Sequence, residues 1–126
     1  MFFTALQVAA GGAIGATLRY LFGMGVPRLL GQHSLPLSIL LTNIIGSTLM
    51  GLLVSFLGIK GLTQWNAFLG VGVLGGFTTF SSFSLETWTL VERGEPVLAA
   101  VYVVLSVAVS LAGLFLGMTL MRGVLA

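Results

Sequence analysis

Cysteine is absent, so neither a disulfide nor a thiolate metal site can be built from this chain. Histidine occurs once, at His33, beside three acidic residues, which leaves little material for acid–base catalysis or a transition-metal site. The expectation is a protein that is not an enzyme. Charge of any kind is scarce, at 6% of residues, and the five Lys and Arg behind the net +2 are scattered along the chain. No basic stripe for nucleic acid exists. What replaces charge is apolar: 57% of residues are hydrophobic and mean hydropathy is +1.13. A chain of 126 residues has room for one domain, whose core is too small to hide that much apolar surface from water. Its solvent is therefore lipid.

A crossing of the hydrocarbon core takes about 20 mostly apolar residues. Prolines and charges divide the sequence into four such pieces, over residues 3–26, 37–59, 65–91 and 96–121. Pro27 and Arg28 close the first, and GQHSLP links it to the second, which ends at Lys60. The charged turn Glu92, Arg93, Gly94, Glu95 precedes Pro96, a residue suited to a first helical turn. No basic stretch precedes Phe2, and the first apolar run is long enough to span, so a cleaved signal peptide is not expected. Lys and Arg in loops normally set orientation. Here Lys60 and Arg122 on one face balance Arg28 and Arg93 on the other. A chain without bias can insert both ways and form an antiparallel dimer; the alternative is that some other feature picks one orientation.

Helices in lipid associate through small residues and interhelical hydrogen bonds. The first span sets Gly11, Gly15, Arg19 and Gly23 at four-residue steps, a face read as structural. The second sets Asn43, Ser47, Gly51 and Ser55 likewise, and the fourth Tyr102, Ser106 and Ser110, continued by Gly113 and Gly117. Any single hydroxyl here ordinarily bonds back to its own helix; three polar stripes converging on the third span argue for more. That span contains GGFTTFSSFSLETW, Gly75 to Trp88. Its helix, about 40 Å long at 1.5 Å per residue, exceeds the core it crosses, and Gly75 and Gly76 weaken it near the middle. A break at membrane depth must be covered by protein or a watery cavity, and freed backbone groups there commonly face ions. Thr78, Thr79, Ser81 and Ser82 add hydroxyl donors, while Phe77, Phe80 and Phe83 lie along one slowly rotating side. Ring edges are electropositive and can partly solvate an anion without holding it. Phenylalanine as plain packing is the rival reading of those rings. The mid-membrane polar set is neutral, with Glu86 beyond the hydroxyl cluster and Arg19 near enough to the end of its span to snorkel. Neutral donors suit a small, strongly hydrogen-bonding anion.

GATLRY, TNIIGS, GGFTTFSSFS and Tyr102 with its serines, together covering the whole chain, resemble the Fluc or CrcB fluoride channels. The resemblance implies an all-α membrane protein of four transmembrane helices, the third broken near its middle, paired as an antiparallel dual-topology homodimer in the inner membrane. It implies two pores, passive fluoride export that lowers fluoride toxicity, and a sodium ion that is structural rather than transported. It makes Phe80 and Phe83 the rings lining each pore and Asn43 a pore-facing donor. Thr79, Ser81, Ser82, Tyr102, Ser106, Ser110 and Glu86 join or flank the polar track. The carbonyls of Gly75 and Thr78 hold the sodium, and Arg19 matches a basic residue near a pore entrance. Where the family often has Thr four residues before the Asn, this chain has Ile39.

Two rivals come from other classes. A small multidrug exporter needs a deep carboxylate in the first span, and residues 3–26 contain no Asp or Glu. A noncatalytic membrane subunit would pass no ion. The run GVGVLG matches GxGxxG, but a dinucleotide fold requires a βαβ unit in water, and these glycines lie in an apolar span, where close helix packing is the expected use.

Overall fold

The computed structural model describes residues 1–125, and every regular element among them is helical. Helix α1 runs Phe2–Leu30, α2 Leu37–Lys60, α3 Gly75–Phe77, α4 Phe80–Glu92 and α5 Pro96–Leu125. Between α2 and α3 lie a 3-10 turn, Thr63–Trp65, and a π-helical segment, Ala67–Leu74, that leads directly into α3. Three stretches are long and apolar enough to cross a membrane: Leu37–Lys60, Thr63–Glu92 and Pro96–Leu125. Helix α1, at 29 residues, is long enough but is diluted by Gln7, Arg19 and small residues, and is not among them.

The stops follow local chemistry. Gly61 and Gly94 take positive φ, 67° and 79°, and the next residue's amide reaches back to close the preceding turn, Leu62 to the Leu57 carbonyl at 2.8 Å and Glu95 to that of Leu90 at 3.0 Å. A glycine in the left-handed region followed by such a bond is how helices commonly end. Pro27 does not end α1, which continues to Leu30. Proline strips the carbonyl four residues back of its helical donor, and that carbonyl, Gly23's, lies 3.5 Å from the Ser38 hydroxyl, which donates to it from α2.

Packing pairs α1 with the π segment and α3, and α2 with α5. Glycine makes the first seam. A side chain at Gly11 would overlap the Phe68 carbonyl, and one at Gly15 the Val73 carbonyl. Gly72 faces the Cα of Gly11, so the two backbones touch. Of the glycines of GVGVLG, Gly72 thus serves packing against α1. A small apolar cluster of Leu40, Phe83, Leu90, Ala99 and Tyr102 joins α2, α4 and α5. Large apolar side chains cover much of the outside, among them Phe2, Leu29, Phe115 and Val124. That is the surface of a chain solvated by lipid.

Candidate functional site around Thr78 and Thr79

Gly75 and Gly76 are themselves helical, and the helical path stops two residues later. Thr78 (φ −79°, ψ 157°) and Thr79 (φ −153°, ψ 123°) are extended, and α4 begins at Phe80. An extended pair inside an apolar segment leaves backbone groups without helical partners, each costing several kcal/mol if unmet in hydrocarbon (on the order of the transfer cost of an amide). One side chain meets two of them. Asn43 of α2 accepts from the Thr79 amide at Oδ1, 2.9 Å, and donates through Nδ2 to the Thr79 carbonyl, 3.0 Å. In a continuous helix that amide would have bonded to the Gly75 carbonyl; here the Gly75 carbonyl is released from it.

Thr79 also starts the next helix. Its hydroxyl accepts from the Ser82 amide at 3.2 Å and lies 3.3 Å from the Ser81 hydroxyl. Threonine is a favoured N-cap for this reason. Thr78 turns the other way, donating its hydroxyl to the Leu74 carbonyl at 3.0 Å, and its methyl occupies the space that a side chain at Gly46 would need. Sequence reading missed Gly46; the signal is a glycine three residues after Asn43 within TNIIGS.

Beside the extended pair lies a cavity of about 420 Å³. Asn43, Thr78, Thr79, Phe80, Phe83, Ser106 and Ser110 all line it, with Ser47 and the apolar Met50, Val107 and Leu114. Phe80 and Phe83 stand 5.4 Å apart between ring centroids and are tilted by 56°. Phe83 in turn lies 5.3 Å from the ring of Tyr102. Phe80 is 76% exposed whereas Tyr102 is fully buried, so the three rings step from the surface into the bundle. Phe77 does not join them. It packs edge-on against Phe22 of α1, 5.9 Å away, because the extended pair separates it from Phe80.

The remaining expected residues scatter. Ser81 and Ser82 take part through Thr79 and do not line the cavity. Glu86 faces a separate pocket under the α1–α2 loop. Gly75 is at the surface, and Arg19, partly exposed on α1, borders neither space. Ile39 packs beside the Leu40–Tyr102 cluster.

Two hydroxyls of the cavity wall, those of Ser106 and Ser110, are buried without a bond. The hydroxyls of Tyr102, Ser106 and Ser110 are buried and have no hydrogen-bond partner among the described residues, and the same holds for those of Thr42 and Ser55. Buried hydroxyls normally find partners. Thr48 and Thr87, for comparison, bond to carbonyls of their own helices, at 2.8 Å each. Ser106 and Ser110 of α5 therefore bring donors with spare capacity to a space that Asn43, Thr78, Thr79, the Phe80 and Phe83 rings and aliphatic groups also line.

Comparison with known proteins agrees with this architecture. The family described as "CrcB-like protein, Camphor Resistance (CrcB)" matches residues 6–118. A "Fluoride-specific ion channel FluC" from Ruegeria sp. (strain TM1040) is 55% identical over 125 residues, 99% of either chain. Proteins of the same name from Roseobacter denitrificans and Erythrobacter litoralis are 55% and 47% identical, over 94% and 95% of this chain and 95% and 93% of their own. A match that spans nearly the whole chain, by family and by individual relatives, makes the conclusion direct: this protein belongs to the CrcB-like family.

Proposed function

We propose that the protein is a fluoride-selective ion channel of the inner membrane that lets fluoride leave the cytoplasm passively. The observation that carries this reading is the cavity wall, which combines buried, unpartnered hydroxyls with phenylalanine rings and includes no carboxylate. Fluoride is small and accepts hydrogen bonds strongly. Ser106 and Ser110 offer it O–H donors, and Asn43 keeps a second N–H after serving Thr79. The rings of Phe80 and Phe83 line the same space, and a ring edge turned toward an anion would present its positive side. Several weak sites in sequence let an ion enter and leave, as conduction requires. The relatives' name supports the same ion.

In this reading α1, α2, the segment from Thr63 to Glu92, and α5 are the four spans, and Thr78–Thr79 is the break in the third. Two copies pair antiparallel as a dual-topology homodimer, covering the exposed face of Phe80. The same break fits a structural sodium ion. The Gly75 carbonyl is released by the turn of the Thr79 amide toward Asn43, and Gly75 is exposed on the protein surface. Backbone carbonyls of Gly75 and Thr78 are hard oxygen donors of the kind an alkali cation takes, and sodium held there would supply charge-based cohesion between copies without moving.

The test is fluoride efflux from liposomes carrying the purified protein, followed with a fluoride electrode, with a potassium ionophore to balance charge, and repeated with chloride. Rapid fluoride release with negligible chloride release is the expected result. A folded protein that releases neither ion would overturn the reading.

A further inference from the structure

One helical turn beyond Phe83 the character of the bundle changes. Glu86 lies about 4.5 Å farther along α4, at 1.5 Å per residue, and lines a second space of about 180 Å³ under the loop that joins α1 to α2. Gln32, His33 and Ser38 line it too, in a wall that is half polar, unlike the mostly apolar wall of the larger cavity. Phe83, which lines the first space, and Glu86, which lines the second, project from the same side of α4 at a three-residue step. The two spaces therefore follow one another along α4.

We propose that this pocket is the mouth of the ion's path at the end of the bundle bearing the α1–α2 loop, and that protonation of His33 there raises fluoride flux. The proposal rests on the channel reading. His33 is placed for it. Its Nε2 donates to the Leu30 carbonyl at 2.8 Å, because a carbonyl can only accept. That bond anchors the ring on the end of α1 and leaves Nδ1 as the site where a proton is gained. Imidazole is the side chain that ordinarily changes charge between about pH 5 and 8. A positive charge at the mouth of a low-dielectric path concentrates anions there.

Inside the pocket the Glu86 carboxylate opposes that positive charge, so a proton on His33 offsets the carboxylate's negative charge at the mouth. Helix α1 contributes Val26 and Pro27, and α2 contributes Leu37, Ser38 and Ile39, none of them titratable; α4 contributes Glu86. Arg28, Glu92, Arg93 and Glu95 sit at the same end of the bundle and line none of it. His33 and Glu86 are thus the two ionisable side chains that line the pocket.

The test is fluoride efflux from liposomes at equal internal and external pH, stepped from about 8 to about 5.5, with protein-free vesicles subtracting the leak of undissociated HF. The wild-type rate is expected to rise on the order of threefold as pH falls, and less at high salt, where screening weakens the attraction. His33→Gln is expected to hold the alkaline rate at every pH. His33→Lys, carrying its charge throughout, is expected to hold the raised rate at every pH. Either a flat wild-type profile or a slope that survives in His33→Gln would overturn the inference while leaving the channel reading intact. Absence of fluoride flux at all pH values would instead strike the channel reading itself.

Discussion

Helices α2 and α5 meet along one pair of faces whose two halves are built differently. Toward the α5 C-terminus the contact is closed by glycine: Gly51 admits the Leu114 carbonyl, Gly113 the Thr48 hydroxyl and Gly117 the Thr48 carbonyl. Toward its N-terminus the same four-residue spacing carries Tyr102, Ser106 and Ser110, the extended pair at Thr78 and Thr79 intervenes, and the faces part around the cavity. Spacing alone is thus neutral between a seam and a path. What separates the α5 faces is that glycine at Gly113 and Gly117 lets the α2 backbone or side chain in, whereas Ser106 and Ser110 line open space.

Changes that attack the closed half should cost the most. Gly51→Leu must place a side chain where the Leu114 backbone lies, and backbone cannot yield as a flexible side chain does. A loss of about 3 kcal/mol or more is expected, seen as a collapsed melting temperature and aggregation on size exclusion in detergent. Native melting would show that the seam can open at little cost. Next comes the hinge between the halves. Asn43→Asp removes the donor to the Thr79 carbonyl and sets negative oxygen against it and against the anion. Fluoride flux should fall by at least about tenfold, and stability by about 1–3 kcal/mol. A normally conducting variant would remove Asn43 from the path.

The rings allow a finer cut. Phe80→Ile and Phe83→Ile should each lower flux by about tenfold, near 1.4 kcal/mol in barrier. Only Phe83→Ile should also lower the melting point, because Phe83 is 9% exposed within the small apolar cluster while Phe80 is 76% exposed. Equal melting of both variants would contradict the inside-to-outside order of the rings. Thr79→Val, which keeps the shape but loses the cap on α4, should cost about 1 kcal/mol, read as a small downward shift in the same melt.

Much of this was legible in the residues. Pro96 marks the start of α5 because its missing amide costs nothing in a first turn, and the α2 and α5 stripes were visible because small and polar residues recur every four positions. Other features left no such trace. The π spacing of Ala67–Leu74 depends on a bond register that no residue type announces. Pro27 looked like a stop, yet the Gly23 carbonyl it strands is served from α2, a partner distant in sequence. Gly75 and Gly76 suggested where the third segment weakens, but the extended residues are Thr78 and Thr79, held by a side chain 36 positions away. The role of Asn43 as a clamp on backbone was therefore invisible before the fold, whereas its value as a neutral donor was not. Glu86, which the resemblance lets join or flank the polar track, lines the neighbouring pocket.

In the proposed channel the orphaned hydroxyls of α5 serve the ion and not the fold. The double variant Ser106→Ala, Ser110→Ala tests it most directly, with melting temperature and fluoride efflux measured on the same preparation. Because neither hydroxyl has a protein partner, the account predicts stability within about 0.5 kcal/mol of the parent and fluoride efflux reduced severalfold. A destabilised protein with undiminished efflux would contradict it, and would return those hydroxyls to the role of holding helices together.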